Sequence, residues 1–371
     1  MTYQGFGNGS DGAATLSGTD APVDSSCSGT SGTKSLSATN VSFADDKLVL
    51  IHQSKGTGVG NWEINIIDSY SAGTITTLFD LVNTYTDSGQ SQAQVIQLPE
   101  YSSVTISGTL TAKAWDGNVG GIIAFLCNGE TNISGTMTAA GKGYRGAASV
   151  RDADGLQGEG YNNDAGTRSI NANASGGGGG WAGDQHGGFG GGGGGGGGHA
   201  TAGSGGVGAG TTGSGGTAGT IGADSSSATK LHFGGGGGSG GEQYNQGQAG
   251  AGSPGGGIIF VLTASLVVTG SVSANGSVGG NSTPGISDGG GGGGGAGGYV
   301  YIQCIDATIG SNLITATGGA GGTFTGSGGN GGAGASGFVY IAACGVTGTS
   351  NPGNSASYGG YDYCQSFISI Y

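Results

Sequence analysis

Between residues 47 and 98 the chain alternates apolar and polar side chains in short runs, at 47–53, 61–67, 74–79 and 93–98, separated by Gly, Ser and Asp. Trp62, Ile64 and Ile66 alternate with Glu63 and Asn65. Period two over a few residues, closed by turn formers, predicts half-buried β-strands. Nothing over 1–100 carries a helical period. Further along, an apolar run opened by glycine recurs: GGIIAFLC at 120–127, GGIIFVLT at 256–263, GGYVYIQC at 297–304 and GFVYIAAC at 337–344. Three copies close on ISGTMTAAG, VTGSVSANG and IGSNLITATG, which places the closing glycine 19, 18 and 19 residues after the first apolar one. VTISGTLTAKA at 104–114 reads as the closing half of an earlier copy. Fixed strand units with variable insertions predict a stacked β-architecture.

The insertions carry the glycine. Of 371 residues 96 are Gly, nearly four times the ordinary usage of roughly 7%. Uninterrupted runs at 176–180 and 190–198, with only 5 Pro in the chain, exclude collagen. Each long tract starts and ends at a strand, so its ends are pinned and a flexible-linker reading loses force. Extended glycine can form the three-residue polyglycine II-type helix, and without Cβ atoms such rods can pack closely enough for backbone bonds between them. The expected fold is therefore all-β: stacked β-strand repeats, as a β-helix or β-sandwich-like spine, with glycine-rich excursions forming polyglycine II-type rods. The expected organisation is a flexible Gly/Ser/Thr-rich arm at 1–42, a β-rich attachment or assembly domain at 43–100, a repeat spine at 101–141 and 256–345, a glycine-rich recognition excursion at 142–255, and a β tail at 346–371.

Charge narrows the partners. Nine Lys and Arg against 22 Asp and Glu give a formal charge of −13, which argues against nucleic acid, since polyanion binding needs clustered cations. The amino terminus has no basic and apolar leader, and no apolar run is long enough to cross a bilayer, so neither a signal peptide nor membrane insertion is expected. An odd count of 5 cysteines does not suit a disulfide-stapled scaffold.

Candidate chemistry is sparse. Cys127, Cys304 and Cys344 fall at equivalent or near-equivalent places in three copies, either as a ladder of small buried side chains or as thiols brought together for a metal or disulfide; no metal site and no cofactor is expected. The scattered histidines lack a nucleophile motif. Trp181, Asp184, His186, Phe189, His199, His232, Phe233 and Tyr244 stand in or beside glycine tracts, where aromatics on a small-residue scaffold form either a recognition surface or plugs over the rods. Asp116, Glu130, Asp152, Asp154, Glu159 and Asp306 read as solvated loop charges rather than a glycosidase pair, and no catalytic residue is assigned.

Glycine tracts punctuated by single aromatics, such as 176–180 before Trp181 and 190–198 after Phe189, bracketed by short strands, resemble the polyglycine-rich adhesins at the tips of phage tail fibres. The resemblance is compositional and spans about residues 100 to 345. It implies layered glycine rods whose loops bind a host cell-surface receptor, a glycan or an outer-surface protein, and a location on a virion or extracellular surface alongside other copies or other virion proteins. A self-assembling extracellular filament or surface-layer subunit is the alternative. A depolymerase and an ice-binding protein with Thr-rich flat faces are further readings.

Overall fold

The computed structural model describes residues 5–354 apart from 41, 183–190, 209–213, 221–227, 243–247, 284–288 and 325. Nineteen strands and no helix occur among the described residues. β1 (Ala13–Thr15) and β2 (Gly18–Thr19) come first, followed by β3 (Asp24–Gly29), β4 (Ser35–Ala38), β5 (Leu48–Lys55), β6 (Trp62–Ser71), β7 (Thr74–Thr77) and β8 (Gln92–Gln97). Then come β9 (Glu100–Tyr101), β10 (Ser103–Ile106), β11 (Thr109–Thr111), β12 (Ile122–Ile133) and β13 (Thr136–Thr138). The last are β14 (Ile258–Val268), β15 (Ser271–Ser273), β16 (Tyr299–Gln303), β17 (Asp306–Thr315), β18 (Phe338–Ala342) and β19 (Gly345–Asn351).

Two sheets form. β3-β4-β7-β6-β5-β8 close into an antiparallel barrel. The other sheet is parallel and curled, with the path β1-β10-β12-β14-β17-β15-β13-β11-β2 and with β9, β16, β18 and β19 branching from it. The expected stacked-repeat spine, β-helix or β-sandwich-like, is thus corrected: a nine-strand parallel path curls on itself beside a separate six-strand barrel. Register explains how the repeated sequence is used. Ile122, Ile258, Tyr299 and Phe338, the first apolar residue of each copy, are direct neighbours across β12, β14, β16 and β18. The boundary expected at residue 42 also falls inside a unit, since β1 and β2 lie in the parallel sheet and β3 and β4 in the barrel.

The first halves of β12 and β14, 122–127 and 258–262, are apolar on both faces, as parallel strands covered on both sides must be. Ile123, Phe125, Ile259 and Val261 point into the curl with Leu110, Met137, Val272 and Ile314. Ile122, Leu126, Ile258 and Phe260 point the other way, against Leu48, Leu50, Ile96 and Leu98 of the barrel and its exit segment. Trp62 of β6 closes this contact edge-on, 5.2 Å from Phe260 and 5.3 Å from Tyr301. The barrel keeps a core of its own around Val49, Ile51, Ile67, Ile75 and Val95.

The glycine tracts are buried and joined by their backbones. Along 234–242, the N–H groups of Gly234, Gly237 and Gly240 donate to Gly256, Ser253 and Gly250. Those of Gly235, Gly238 and Gly241 donate to Gly198, Gly195 and Gly192, and those of Gly236, Ser239 and Glu242 to Glu159, Leu156 and Ala153. Segment 290–298 repeats the scheme toward 235–241, 274–280 and 329–335, and the eighteen bonds of the two segments span 2.6–3.1 Å. Three successive residues donate to three different neighbours, so each segment turns once in three residues. Because 290–298 bonds to 235–241, the excursion 142–255 and the later glycine segments form one unit. There is no room for side chains: a Cβ on Gly177 would lie 1.9 Å from the Gly195 oxygen, and one on Gly294 2.1 Å from that of Gly319.

Candidate functional site

Two places concentrate chemistry: the seam where the barrel meets the glycine layers, and the far end of those layers. At the seam, β5 ends on four polar residues, His52, Gln53, Ser54 and Lys55, and all four are buried. Lys55 Nζ donates to Glu159 Oε1 at 3.1 Å and also to Asp164 Oδ1. Arg145 donates from its backbone N and from Nε to Glu159 Oε2, both at 2.9 Å, and from Nη2 to Oε1 at 3.1 Å; Trp115 Nε1 adds a longer contact. Two cations and two anions balance, and Glu159 has both oxygens saturated, so this carboxylate is a tie between units rather than a free base. Its hydrogen bond raises the Arg145 guanidinium further, while the bond from Lys55 holds Asp164 below the usual carboxylate range. The expectation that Glu159 is a solvated loop charge is corrected by its complete burial.

Beside this tie lies a cluster of imidazoles. His52 Nε2 faces the Leu231 carbonyl at 2.9 Å, and a carbonyl can only accept, so Nε2 carries the proton and Nδ1 accepts from Ser54 Oγ. Gln94 Nε2 in turn donates to Ser54 Oγ at 2.7 Å, and Tyr144 donates its hydroxyl to the Ser54 carbonyl. By the same logic His199 Nε2 donates to the His232 carbonyl at 3.2 Å. Phe233 is wedged among them, 5.9 Å from His52, 5.3 Å from Trp115 and 5.4 Å from Tyr144 between ring centres. Burial pushes His52 and His199 down to about 4 and His232 well below the ordinary histidine value, so all three are neutral at pH 7. The small cavity lined by Tyr144, Tyr161, Ser175, His199, His232 and Phe233 measures about 10 Å³, room for roughly one water molecule.

The recognition residues expected from the sequence therefore divide. His199, His232 and Phe233 are 1–3% exposed and belong to the seam, not to a surface. Apolar and imidazole side chains at the end of a glycine tract are drawn into the contact with the barrel, because that is where the layers meet side chains instead of backbone. Trp181 is 42% exposed. Asp184, His186, Phe189 and Tyr244 lie outside the described residues. Lys55, Arg145 and Tyr144 went unnoticed as site residues, although the scarcity of Lys and Arg in so long a chain was a usable signal. Cys127 and Cys304 are free and buried, whereas Cys344 is disulfide-bonded.

The far end is defined by where the segments stop. Trp181 N bonds to Ser214, Gly192 N to Trp181, Val207 N to Asn330, Gly241 N to Gly192, Gly290 N to Gly241 and Gly291 N to Gly329. Together with Gly292 N on Gly280, Gly322 N on Gly292 and Ser282 N on Thr323, these bonds place the ends of 175–181, 203–207, 233–242, 274–282 and 316–323 at one level, opposite the end where β14, β16 and β18 begin. Five chain reversals therefore start from the same end of the layers. Trp181, Val207 and Phe324 are exposed there, at 42%, 56% and 39%.

Among the described residues no group of three or more His, Cys, Asp and Glu is placed to hold a metal ion, and no helix is long and apolar enough to cross a membrane. No protein-family model matches the chain, and comparison with the curated proteins returns no relative.

Proposed function

We propose that this chain is a non-enzymatic structural and adhesion protein, of the kind carried by a phage tail fibre or virion surface, which binds a glycan or outer-surface protein of a host cell. The observation that carries the reading is the gathering of five chain reversals at one end of a frame made of backbone hydrogen bonds. A frame with no side chains to rearrange holds its loops at fixed separations, so loop sequence can vary without disturbing what supports it. Three large apolar residues exposed at that end supply contact area that a recognition surface uses. Replacing residues 183–190 and 243–247 with Gly-Ser linkers of equal length is expected to abolish binding to host cells and leave thermal melting unchanged. Full binding with both loops replaced would overturn the assignment.

A second reading has its own observation. Among the described residues of the parallel sheet, β18 pairs only with β16 and β19 only with β17, which leaves strand edges able to accept another strand. The side chain of Asn354 occupies both the N–H and the carbonyl of Ile341 on that edge. A self-assembling filament would appear as regular polymers of the purified protein in electron micrographs, with Asn354→Ala lengthening them.

A further inference from the structure

We propose that the seam between barrel and glycine layers is an acid-sensitive latch, closed while the imidazoles of His52, His199 and His232 are neutral and opened when they take up protons. The latch is the strap 230–233. Leu231 is bonded to the barrel on both sides of its peptide, its N–H to the Gly60 carbonyl at 3.0 Å and its carbonyl to His52 Nε2 at 2.9 Å. Lys230 Nζ reaches Asn61 Oδ1, and the carbonyl of His232 receives His199. Phe233 then enters the seam, with its ring 2.7 Å from where a Cβ on Gly121 would stand. Lys230, Leu231 and Phe233 thus fasten the layers to the barrel, and the His199–His232 bond ties the strap to the end of the 192–198 tract.

For His232, a second imidazole proton meets no acceptor among the described residues, and for His52 it displaces a bond already made. Among the described residues His232 Nε2 has no hydrogen-bond partner, and it is pressed against Gly60 (φ +83°), where a Cβ would be 2.5 Å from Nε2. His52 Nδ1 accepts from Ser54, so its protonation costs the Ser54 hydroxyl its donor bond and forces that hydrogen to rotate away, leaving Ser54 Oγ to accept from both His52 and Gln94. The charged groups around the cluster do not help. Lys230 on the strap repels an imidazolium, as the other two histidines do. Lys55 on β5 and Arg145 are engaged by Glu159 and Asp164, so those carboxylates are committed to these cations. The facing phenols of Tyr144 and Tyr299 are pushed up by burial and stay neutral. Proton uptake therefore gathers like charges at a dry contact.

The sign is set by where protons bind. In the open seam the imidazoles meet water and hold protons below about pH 6.5; in the closed seam His52 and His199 hold them only below about 4. The advantage of the closed form is full above pH 6.5 and is lost as pH falls toward 4, by up to about tenfold per pH unit for each histidine that titrates. Asp164, whose value lies below the ordinary 3.8, contributes in a lower window.

Hydrogen exchange on the full chain, corrected for intrinsic rates, tests the latch between pH 7.5 and 4.5. Protection of the Leu231 amide should fall at least tenfold between pH 6.5 and 4.5, while that of Ile51 inside the barrel holds. The triple variant His52→Gln, His199→Gln, His232→Gln should flatten the Leu231 dependence, whereas Glu159→Gln should weaken protection at every pH and leave the slope. An unchanged slope in the triple variant would overturn the proposal. Should that variant fail to fold, imidazole titration by NMR in the wild-type chain decides: values near 6.5 in the folded protein refute the latch, and values at or below about 4.5 support it.

Discussion

The barrel and the glycine layers both exclude water, and they do so by opposite means. In the barrel, Val49, Ile51, Ile67, Ile75 and Val95 fill the interior with branched side chains, and the backbone bonds lie around them. In the layers the backbone itself is the interior, and the atoms in contact are the amides and carbonyls of 176–180, 192–198, 234–241 and 290–298. A side-chain core draws its stability from apolar area withdrawn from water. The layers have almost no such area and depend on satisfying every buried N–H and C=O. The two regions should therefore fail in opposite directions, the barrel when atoms are removed and the layers when atoms are added.

The largest expected effect is in the layers. Gly237→Ala would place its Cβ 2.1 Å from the Gly293 oxygen and 2.5 Å from the Gly293 carbonyl carbon. Both belong to a segment bonded on three sides, so no side chain can swing away and the layers must part. A loss of more than about 4 kcal/mol is expected, read as failure to fold or as a collapse of the melting temperature. A Gly237→Ala protein melting within a few degrees of wild type would break the comparison at its root.

The barrel's counterpart is Ile51→Ala. Ile51 is 0% exposed, and removing its outer methyl and ethyl carbons should cost about 2–5 kcal/mol, with the spread set by how far the core closes around the cavity. Urea denaturation measures it directly. Exchange protection at Gly195 and Gly238 should survive in this variant under native conditions, because the damage is confined to a core that the layers do not share. Loss of both together would mean that the two regions are stabilised as one.

Legibility in the sequence divides along the same line. Barrel strands announce themselves by alternation: Trp62, Ile64 and Ile66 against Glu63 and Asn65 is a pattern that side chains write and a reader can see. Strand register across β12, β14, β16 and β18 was equally readable, because Ile122, Ile258, Tyr299 and Phe338 each come directly after a glycine at the same step. Topology was not. A stack of repeats and a curled parallel sheet need the same apolar runs, and the closure of β3 with β8 is a pairing of Asp24 with Ile96 that no local pattern signals. The strands in 13–38 were missed for a related reason, since Ser, Thr and Ala runs carry little hydrophobic contrast. The seam was hidden because its residues are polar: His52 and Lys55 interrupt an apolar alternation, and Glu159 looks like any loop acid until Lys55 and Arg145 arrive from 104 and 14 residues away.

The finest test of the comparison lies between two adjacent glycines. Gly206 would bring a Cβ to 2.0 Å from the Gly193 oxygen, whereas Gly205, one residue earlier on the same segment, has the Gly216 oxygen at 3.5 Å as its nearest atom and faces solvent. Neither has a φ in the left-handed region, so alanine is conformationally admissible at both, and only the contact differs. Gly205→Ala leaves the folded state unstrained while restricting the unfolded chain, which should be neutral or stabilise the protein by about 0.4–1 kcal/mol. Gly206→Ala should destabilise it severely. Measured as a pair by thermal melting, opposite signs at neighbouring positions would show that the requirement for glycine belongs to the three-residue turn of the segment and to the face each residue presents. Equal losses at both would mean that glycine is needed there for chain conformation alone, and the contrast with the barrel would shrink to one of composition.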